Sequence, residues 1–391
     1  MAADDFDVIK TVSRRMDLKE GEEAVRRVLQ EVYRKRKVGT KDLARATRLP
    51  IPVAAAIRRE LEKMGIIARK GGAVLTEEGE RYVREELGMT ESHGPKRTGS
   101  GSEILIPDEY AETLETLREY STLRPEPSPQ LDQAFATPET ALRRALYMLE
   151  KGDLEGRDVL FLGDDDFTAV AAGLLEVARG ITVIDIDERL IKVIESVSRD
   201  VGLGMECIVL DLRLPLPEEL RGRFDVFLTD PPYTVPGLEL FLSRGVDALR
   251  RRKTASVYLC FADKPPLEML EVHRAITGMG LFVSELIPRF NLYEGAEMFG
   301  NTTFMARLAT TEETSPVITG VFEGKMYTGE VRPTRRIYRC RCGEKIEVGA
   351  GTAYQTIEEL KSSGCPRCGI RAGFRLQSRR PLRGGSRKEV I

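Results

Sequence analysis

A chain of 391 residues with 41% apolar and 31% charged side chains can bury a large core and has room for two or three domains. No apolar run approaches a membrane span and the opening MAADDFDVIK lacks a leader pattern, so the expectation is a cytoplasmic protein with no membrane role. The net charge of -2 hides a segregation: +5 over residues 1–100, -17 over 101–330 and +10 over 331–391. That middle segment attracts cations and repels nucleic acid.

Taken in chain order, residues 1–87 follow the pattern of a winged helix. Apolar positions at helical spacing run from Glu22 to Tyr33, and Thr40 N-caps a short helix to Ala46. The Leu49-Pro50 turn leads into Ile51 to Met64, at the place of a recognition helix. Ile66 to Leu75 reads as a hairpin with a Gly-Gly turn, and Thr76 to Glu86 as a closing helix. Arg58, Arg59, Arg69 and Lys70 stand where such a module would touch phosphate, or equally where it would face water. Packing or dimerisation is the preferred reading, because a fold does not dictate a function. Residues 88–102, rich in Gly, Ser and Thr, read as a linker. The absence of Trp and a total of seven Asn plus Gln fit a thermophilic source.

Residues 103–330 alternate helix and strand. Thr137-Pro138 opens a helix to about Lys151. Apolar strands are expected at Asp158–Gly163, Ile181–Ile186, Glu206–Leu210, Asp225–Thr229 and Ala255–Phe261, with two more at Leu281–Leu286 and Thr303–Leu308. Continuous apolar strands between helices imply a mainly parallel, Rossmann-like α/β sheet covered on both faces, with ligands bound beyond the strands' C-terminal ends. Cys207 and Cys260 lie in these runs and read as core thiols.

The chemistry-bearing residues cluster at those ends. The first strand closes in Gly163-Asp164-Asp165-Asp166. Nucleotide-binding loops usually place glycines here to approach an anion; three aspartates favour a cation instead. Asp185 follows by about 20 residues, where an acid commonly holds ribose hydroxyls. Asp211 ends the third strand, placed either for an adenine amino group or as a turn cap. The fourth strand runs into Asp230-Pro231-Pro232-Tyr233-Thr234, whose prolines fix the backbone that carries an acid and a phenol. His93 and His273 have no partner pattern.

The Gly163–Asp166 and Asp230–Thr234 motifs together resemble the branched-chain polyamine synthases, or N4-bis(aminopropyl)spermidine synthases, over residues 20–330. The resemblance implies a winged helix followed by a methyltransferase-like domain, a homodimer, and aminopropyl transfer from decarboxylated S-adenosylmethionine to the secondary amine of spermidine. By similarity to linear spermidine synthases, Asp166 matches the aspartate that holds the donor amine, Asp185 the ribose-binding acid and Gln133 a donor-contacting glutamine. Asp230 would orient the attacking nitrogen and take its proton, with Tyr233 beside it. Asp263, Glu294 and Glu297 are weaker candidates for distal acceptor amines. Two other readings stay open: an S-adenosylmethionine-dependent methyltransferase of DNA or RNA amino groups, and a polyamine-sensing winged-helix regulator.

In the last segment, residues 331–391, Cys340, Cys342, Cys365 and Cys368 form two pairs, each followed by glycine. Four thiolates suit a structural zinc site of zinc-ribbon type, although the first pair is one residue tighter than usual; a disulfide or free thiols are the alternative. The segment is basic and ends in a tail from Arg379 to Arg387. Nucleic acid binding through the winged helix or this tail is not favoured.

Overall fold

The computed structural model describes residues 7–47, 49–90, 105–294, 302–331, 334–349, 352–354 and 357–381. Its chain packs into two units: residues 1–125, 135–231 and 239–322 form the first, and 126–134, 232–238 and 323–391 the second.

The first unit begins with helices α1 (Val8–Arg15), α2 (Glu22–Lys35), α3 (Thr40–Thr47) and α4 (Ile51–Lys63) and the antiparallel hairpin of β1 (Ile67–Arg69) and β2 (Ala73–Leu75). Helix α5 (Glu77–Arg81), capped by Thr76, continues as a π-helical turn over Tyr82–Glu86. Val25, Leu29 and Val32 of α2 and Ile57 and Leu61 of α4 share one core here. Three side chains of α2 fasten this part to the loop before β3. Arg26 donates to the Glu155 carbonyl (2.6 Å), and Gln30 (2.9 Å) and Arg34 (2.7 Å) reach the Glu155 carboxylate.

Helices α6 (Ala111–Ser121) and α7 (Pro138–Lys151) precede the sheet. Thr137 caps α7 through the Thr140 N–H (3.2 Å) and Pro138 occupies its first turn. The order of the rest is β3 (Asp158–Leu162), α8 (Thr168–Gly173), β4 (Gly180–Asp185), α9 (Glu188–Asp200), β5 (Glu206–Val209), β6 (Val226–Thr229), α10 (Val235–Ala248), β7 (Ser256–Phe261), α11 (Pro266–Gly278), β8 (Leu281–Leu292) and β9 (Thr302–Thr310). The seven strands lie in the order β5-β4-β3-β6-β7-β9-β8. β9 runs antiparallel to both neighbours, and the other pairings are parallel. This is the Rossmann-like sheet expected from the apolar runs. β3 and β6 are buried almost throughout, as strands covered on both faces must be. The chain turns one way from β3 to β4 and the other to β6, which puts the topological switch point at the C-terminal ends of β3 and β6. Cys260 is buried as expected, but Cys207 lies on edge strand β5 and is only half-buried.

In the second unit, residues 126–134 and 232–238 join the C-terminal segment through Asp132, which accepts the Thr328 N–H (2.6 Å), and Thr234, which donates to the Met326 carbonyl. After α12 (Thr328–Val331), strands β10 (Thr334–Arg339), β11 (Lys345–Gly349) and β12 (Arg375–Pro381) form an antiparallel sheet in the order β11-β10-β12, with α13 (Ile357–Ser363) between β11 and β12. Tyr338, Ile346, Val348 and Leu360 are its small core. Among the described residues no helix is long and apolar enough to cross a membrane.

Candidate active site

The loop after β3 turns sharply because Gly163 (φ +71°) and Phe167 (φ +61°) both take left-handed backbone. Between them the three aspartates are sent in different directions. Asp164, 1% exposed, caps α8 by accepting the N–H groups of Thr168 and Ala169, both at 2.9 Å. Burial pushes it up to about 8 against those two bonds. Asp166, also buried, accepts the Ala136 N–H on Oδ1 and the Arg144 guanidinium on Oδ2 at 2.6 Å. Asp165 keeps contact with solvent and, among the described residues, makes no hydrogen bond or ion pair. Desolvation, then the charges of Asp166, Asp185, Asp230 and Asp164, drive its carboxyl well above the ordinary aspartate range.

Asp185, at the end of β4, is buried beneath this loop. Its Oδ2 accepts the Asp164 N–H (3.2 Å) and its Oδ1 the Asp187 N–H (2.8 Å); burial pushes it up to about 6. Asp187 itself caps α9. Asp211 is half-buried, and Arg213 closes on it (2.8 Å). That pairing outweighs the upward push of desolvation, and its carboxyl lies below the usual value.

Asp230, at the end of β6, has a side chain 7% exposed. Its Oδ2 accepts from Arg144 (2.8 Å) and from the Tyr293 hydroxyl (2.5 Å). Arg144, on α7 and without solvent exposure, therefore bridges Asp166 of the loop after β3 and Asp230 at the end of β6. Its remaining donors go to Asn291 Oδ1 (2.8 Å), the Tyr293 hydroxyl (2.8 Å) and Thr168 Oγ1 (3.3 Å). Asn291 is fixed in turn by donating to Thr303 Oγ1 (3.0 Å) and the Phe304 carbonyl (3.1 Å). A guanidinium is suited to this post, since it offers five donors in a fixed planar fork.

The site thus gathers Asp164, Asp165, Asp166, Asp185 and Asp230 of the first unit around the buried Arg144. Asp263 and Glu294 are exposed, and Glu297 lies outside the described residues. Gln133 and Tyr233 belong to the second unit, where the Gln133 side-chain oxygen accepts the Ser128 N–H (2.7 Å) and Tyr233 is half-buried.

The four C-terminal cysteines converge, with all sulfurs within 4.8 Å of one another. Cys340 Sγ lies 3.6 Å from Cys368 Sγ and Cys342 Sγ 3.8 Å from Cys365 Sγ. Thiolates about 2.3 Å from a tetrahedral zinc stand about 3.8 Å apart, so these residues fit the metal. The glycine after each pair serves the geometry. Gly343 (φ +93°) and Gly369 (φ +72°) let their N–H groups return to the carbonyls of Cys340 (2.9 Å) and Cys365 (2.8 Å).

A family model described as the branched-chain polyamine synthase A C-terminal domain matches residues 112–333. The chain belongs to that family. An uncharacterized protein of Methanocaldococcus jannaschii is 43% identical over 345 residues, covering 88% of this chain and 87% of its own. The N(4)-bis(aminopropyl)spermidine synthase of Thermococcus kodakarensis is 37% identical, covering 62% and 70%, and the one of M. jannaschii is 34% identical with the same coverage. A crystal structure of the branched-chain polyamine synthase of Thermus thermophilus, in complex with N4-aminopropylspermidine and 5'-methylthioadenosine, superposes with a TM-score of 0.52 at 26% identity, covering 81% of this chain and 95% of that one.

Sequence reasoning missed Arg144, Asn291 and Tyr293, which the structure brings to this candidate site. Arg144 was visible in principle: it falls three residues after Ala141 and four before Met148, inside the apolar stripe of α7. A charge at such a position marks a buried partner.

Proposed function

We propose that the chain is an aminopropyltransferase that moves the aminopropyl arm of decarboxylated S-adenosylmethionine onto the secondary amine of a polyamine, with spermidine as the acceptor its relatives' names carry. The observation behind this reading is Asp165, a carboxyl with no hydrogen bond or ion pair among the described residues, whose neighbours Asp164, Asp166, Asp185 and Asp230 resist its ionisation until a cation supplies the opposing charge. At about 4 Å and an effective dielectric near 20, a donor ammonium gains on the order of 4 kcal/mol from one such charge before desolvation, and a donor carboxylate loses as much. Intact S-adenosylmethionine carries that carboxylate, which argues against the methyltransferase reading. The acids at the ends of β3, β4 and β6 together argue against a regulator that merely senses polyamines.

In this scheme Asp165 and its neighbours hold the donor's ammonium, Asp185 faces the ribose, and Asp211 reaches the adenine amino group. Gly163 lets the backbone approach. Gln133 is assigned to the donor, Tyr233 to the acceptor, and Asp263 and Glu294 to distal acceptor amines. The acceptor nitrogen attacks the methylene carbon next to sulfur. The new C–N bond forms as the C–S bond breaks, and its electrons return to sulfur to leave methylthioadenosine. The first transfer turns a secondary amine into a tertiary one and releases a proton; a second makes a quaternary ammonium with no proton to lose. Sulfonium is a good leaving group, so alignment carries most of the work. Asp230, whose Oδ2 is shared by Arg144 and Tyr293, is suited to orient the nitrogen and stabilise its growing positive charge.

One observation favours a second reading of the acceptor. The chain is more similar to the uncharacterized protein of M. jannaschii than to the N(4)-bis(aminopropyl)spermidine synthase of the same organism, and a second such protein in one organism is accounted for by a different polyamine acceptor for the same chemistry. Residues 1–87, whose described part has four helices followed by a hairpin and a closing helix, we read as a winged helix used for packing, and the cysteine module as a zinc ribbon. A cytoplasmic homodimer is the proposed assembly.

The test is to mix the protein with each donor and a panel of linear and branched polyamines, then follow methylthioadenosine release and acceptor mass. A gain of one aminopropyl unit with methylthioadenosine supports the proposal, and the acceptor that reacts fastest separates the two readings. Methyl gain from intact S-adenosylmethionine would contradict both.

A further inference from the structure

The outer face of the β11-β10-β12 sheet carries an arrangement that none of this chemistry uses. Side chains directly opposite in an antiparallel pair share a face, and alternate residues along a strand return to it. Arg339 is opposite Arg375 on one side and Lys345 on the other, so three cations stand in one row across all three strands. Arg335 is opposite Arg380 in a second row on the same face, four residues along β10. Arg339, Arg375, Lys345 and Arg380 are exposed and, among the described residues, form no ion pair. Glu347 is the acid of this face, 3.7 Å from Arg335. The opposite face is occupied by the buried Tyr338, Ile346 and Val348.

Like charges placed directly opposite on neighbouring strands destabilise a sheet. Here they recur in a module whose apolar core is a handful of side chains, where such a cost weighs most. A bound polyanion removes the cost. The two rows are about 13 Å apart at the usual rise per residue, the axial length of about four nucleotides on one strand of a duplex. Arginine, which supplies four of the five cations, matches phosphate oxygens in bidentate geometry.

We propose that this sheet face is a docking surface for the phosphate backbone of nucleic acid, formed by Arg335, Arg339, Lys345, Arg375 and Arg380. Recognition is by backbone charge, without base readout, and it stands independently of the transfer reaction.

The test uses the full zinc-loaded chain and a fluorescent 20-nucleotide single-stranded RNA, with binding followed by anisotropy from 50 to 300 mM salt. The wild type binds, with a log–log salt slope of roughly -3.5 for five cations. The triple variant Arg339→Gln/Lys345→Gln/Arg375→Gln binds about tenfold more weakly, with a slope shallower by about 2. A control triple at Lys10, Lys63 and Lys192, exposed lysines of the first unit, leaves binding unchanged. Zinc content reports whether the row variant keeps its module. Should it lose metal, the double variant Arg335→Gln/Arg380→Gln gives the same reading from the other row. No binding by the wild type at 50 mM salt, or equal binding by a zinc-loaded row variant, overturns the proposal. So does tighter binding to vesicles of equal phosphatidylglycerol and phosphatidylcholine than to RNA.

Discussion

Replacing Arg144 by Met removes the cation that joins Asp166 and Asp230 while keeping much of the side chain's volume. Arg144 has no solvent exposure, and its partner side chains are 2% and 7% exposed. Breaking a buried pair from one side costs about 3–5 kcal/mol, because the charge left behind has neither water nor partner. Two carboxylates are stranded here, beside Asp165. The Arg144 charge also holds down the nearby Asp164 carboxyl, already pushed up to about 8, so its loss lifts that carboxyl further above its unfolded value. An acid raised in this way destabilises the fold as pH climbs from the unfolded value through the raised one. The deficit of Arg144→Met is therefore about 3–5 kcal/mol near pH 8 and smaller near pH 5.5. Urea unfolding at both values, with circular dichroism as the probe, measures it. Arg144→Lys restores a charge without the fork and should recover part of the stability but little of the transfer rate. A Met variant within about 0.5 kcal/mol of wild type at pH 8, with no pH dependence of the difference, would refute the bridge.

Three further outcomes follow from the same geometry. Asp165→Asn should raise the donor KM with a small effect on the fold, whereas Asp166→Asn should lower both stability and kcat, because Asp166 holds Arg144 and the Ala136 N–H; steady-state kinetics with thermal melts separates them. Donor affinity should increase as pH rises from about 6 to 8.5 and binding should release protons, since a bound cation favours the ionised forms of Asp165 and of Asp185, which is raised to about 6; calorimetry in buffers of different ionisation enthalpy reads this directly. Cys342→Ser should abolish stoichiometric zinc, measured by elemental analysis.

The sheet was legible because β3, β4, β6 and β7 are continuous apolar runs, and such runs between helices admit few other solutions. The acids at the strand ends were legible for the same reason: once the strands are placed, the residues after them are at the site. Which of three adjacent aspartates is left uncommitted by the fold was not legible. It depends on Phe167 adopting a left-handed backbone, which its side chain does not announce. Arg144 sits in Leu142-Arg143-Arg144-Ala145, where a second arginine hides the one on the buried face. Tyr293 and Asn291 were missed because β8 continues to Leu292 through a register shift at Ile287–Asn291, with Pro288 and Arg289 exposed, past the apolar stretch expected to end at Leu286. The second unit joins residues 126–134 and 232–238 to the C-terminal segment by contacts such as Thr328 to Asp132, distant in sequence and invisible to local spacing.

The measurement that bears most directly on the whole account is the affinity of the protein for two nucleosides that differ only in the α-carboxyl group. Titration calorimetry at pH 8 should find decarboxylated S-adenosylmethionine bound at least about tenfold more tightly than the intact form, a fraction of the unscreened charge difference. Equal binding, or a preference for the carboxylated nucleoside, would contradict a donor pocket organised around Asp165.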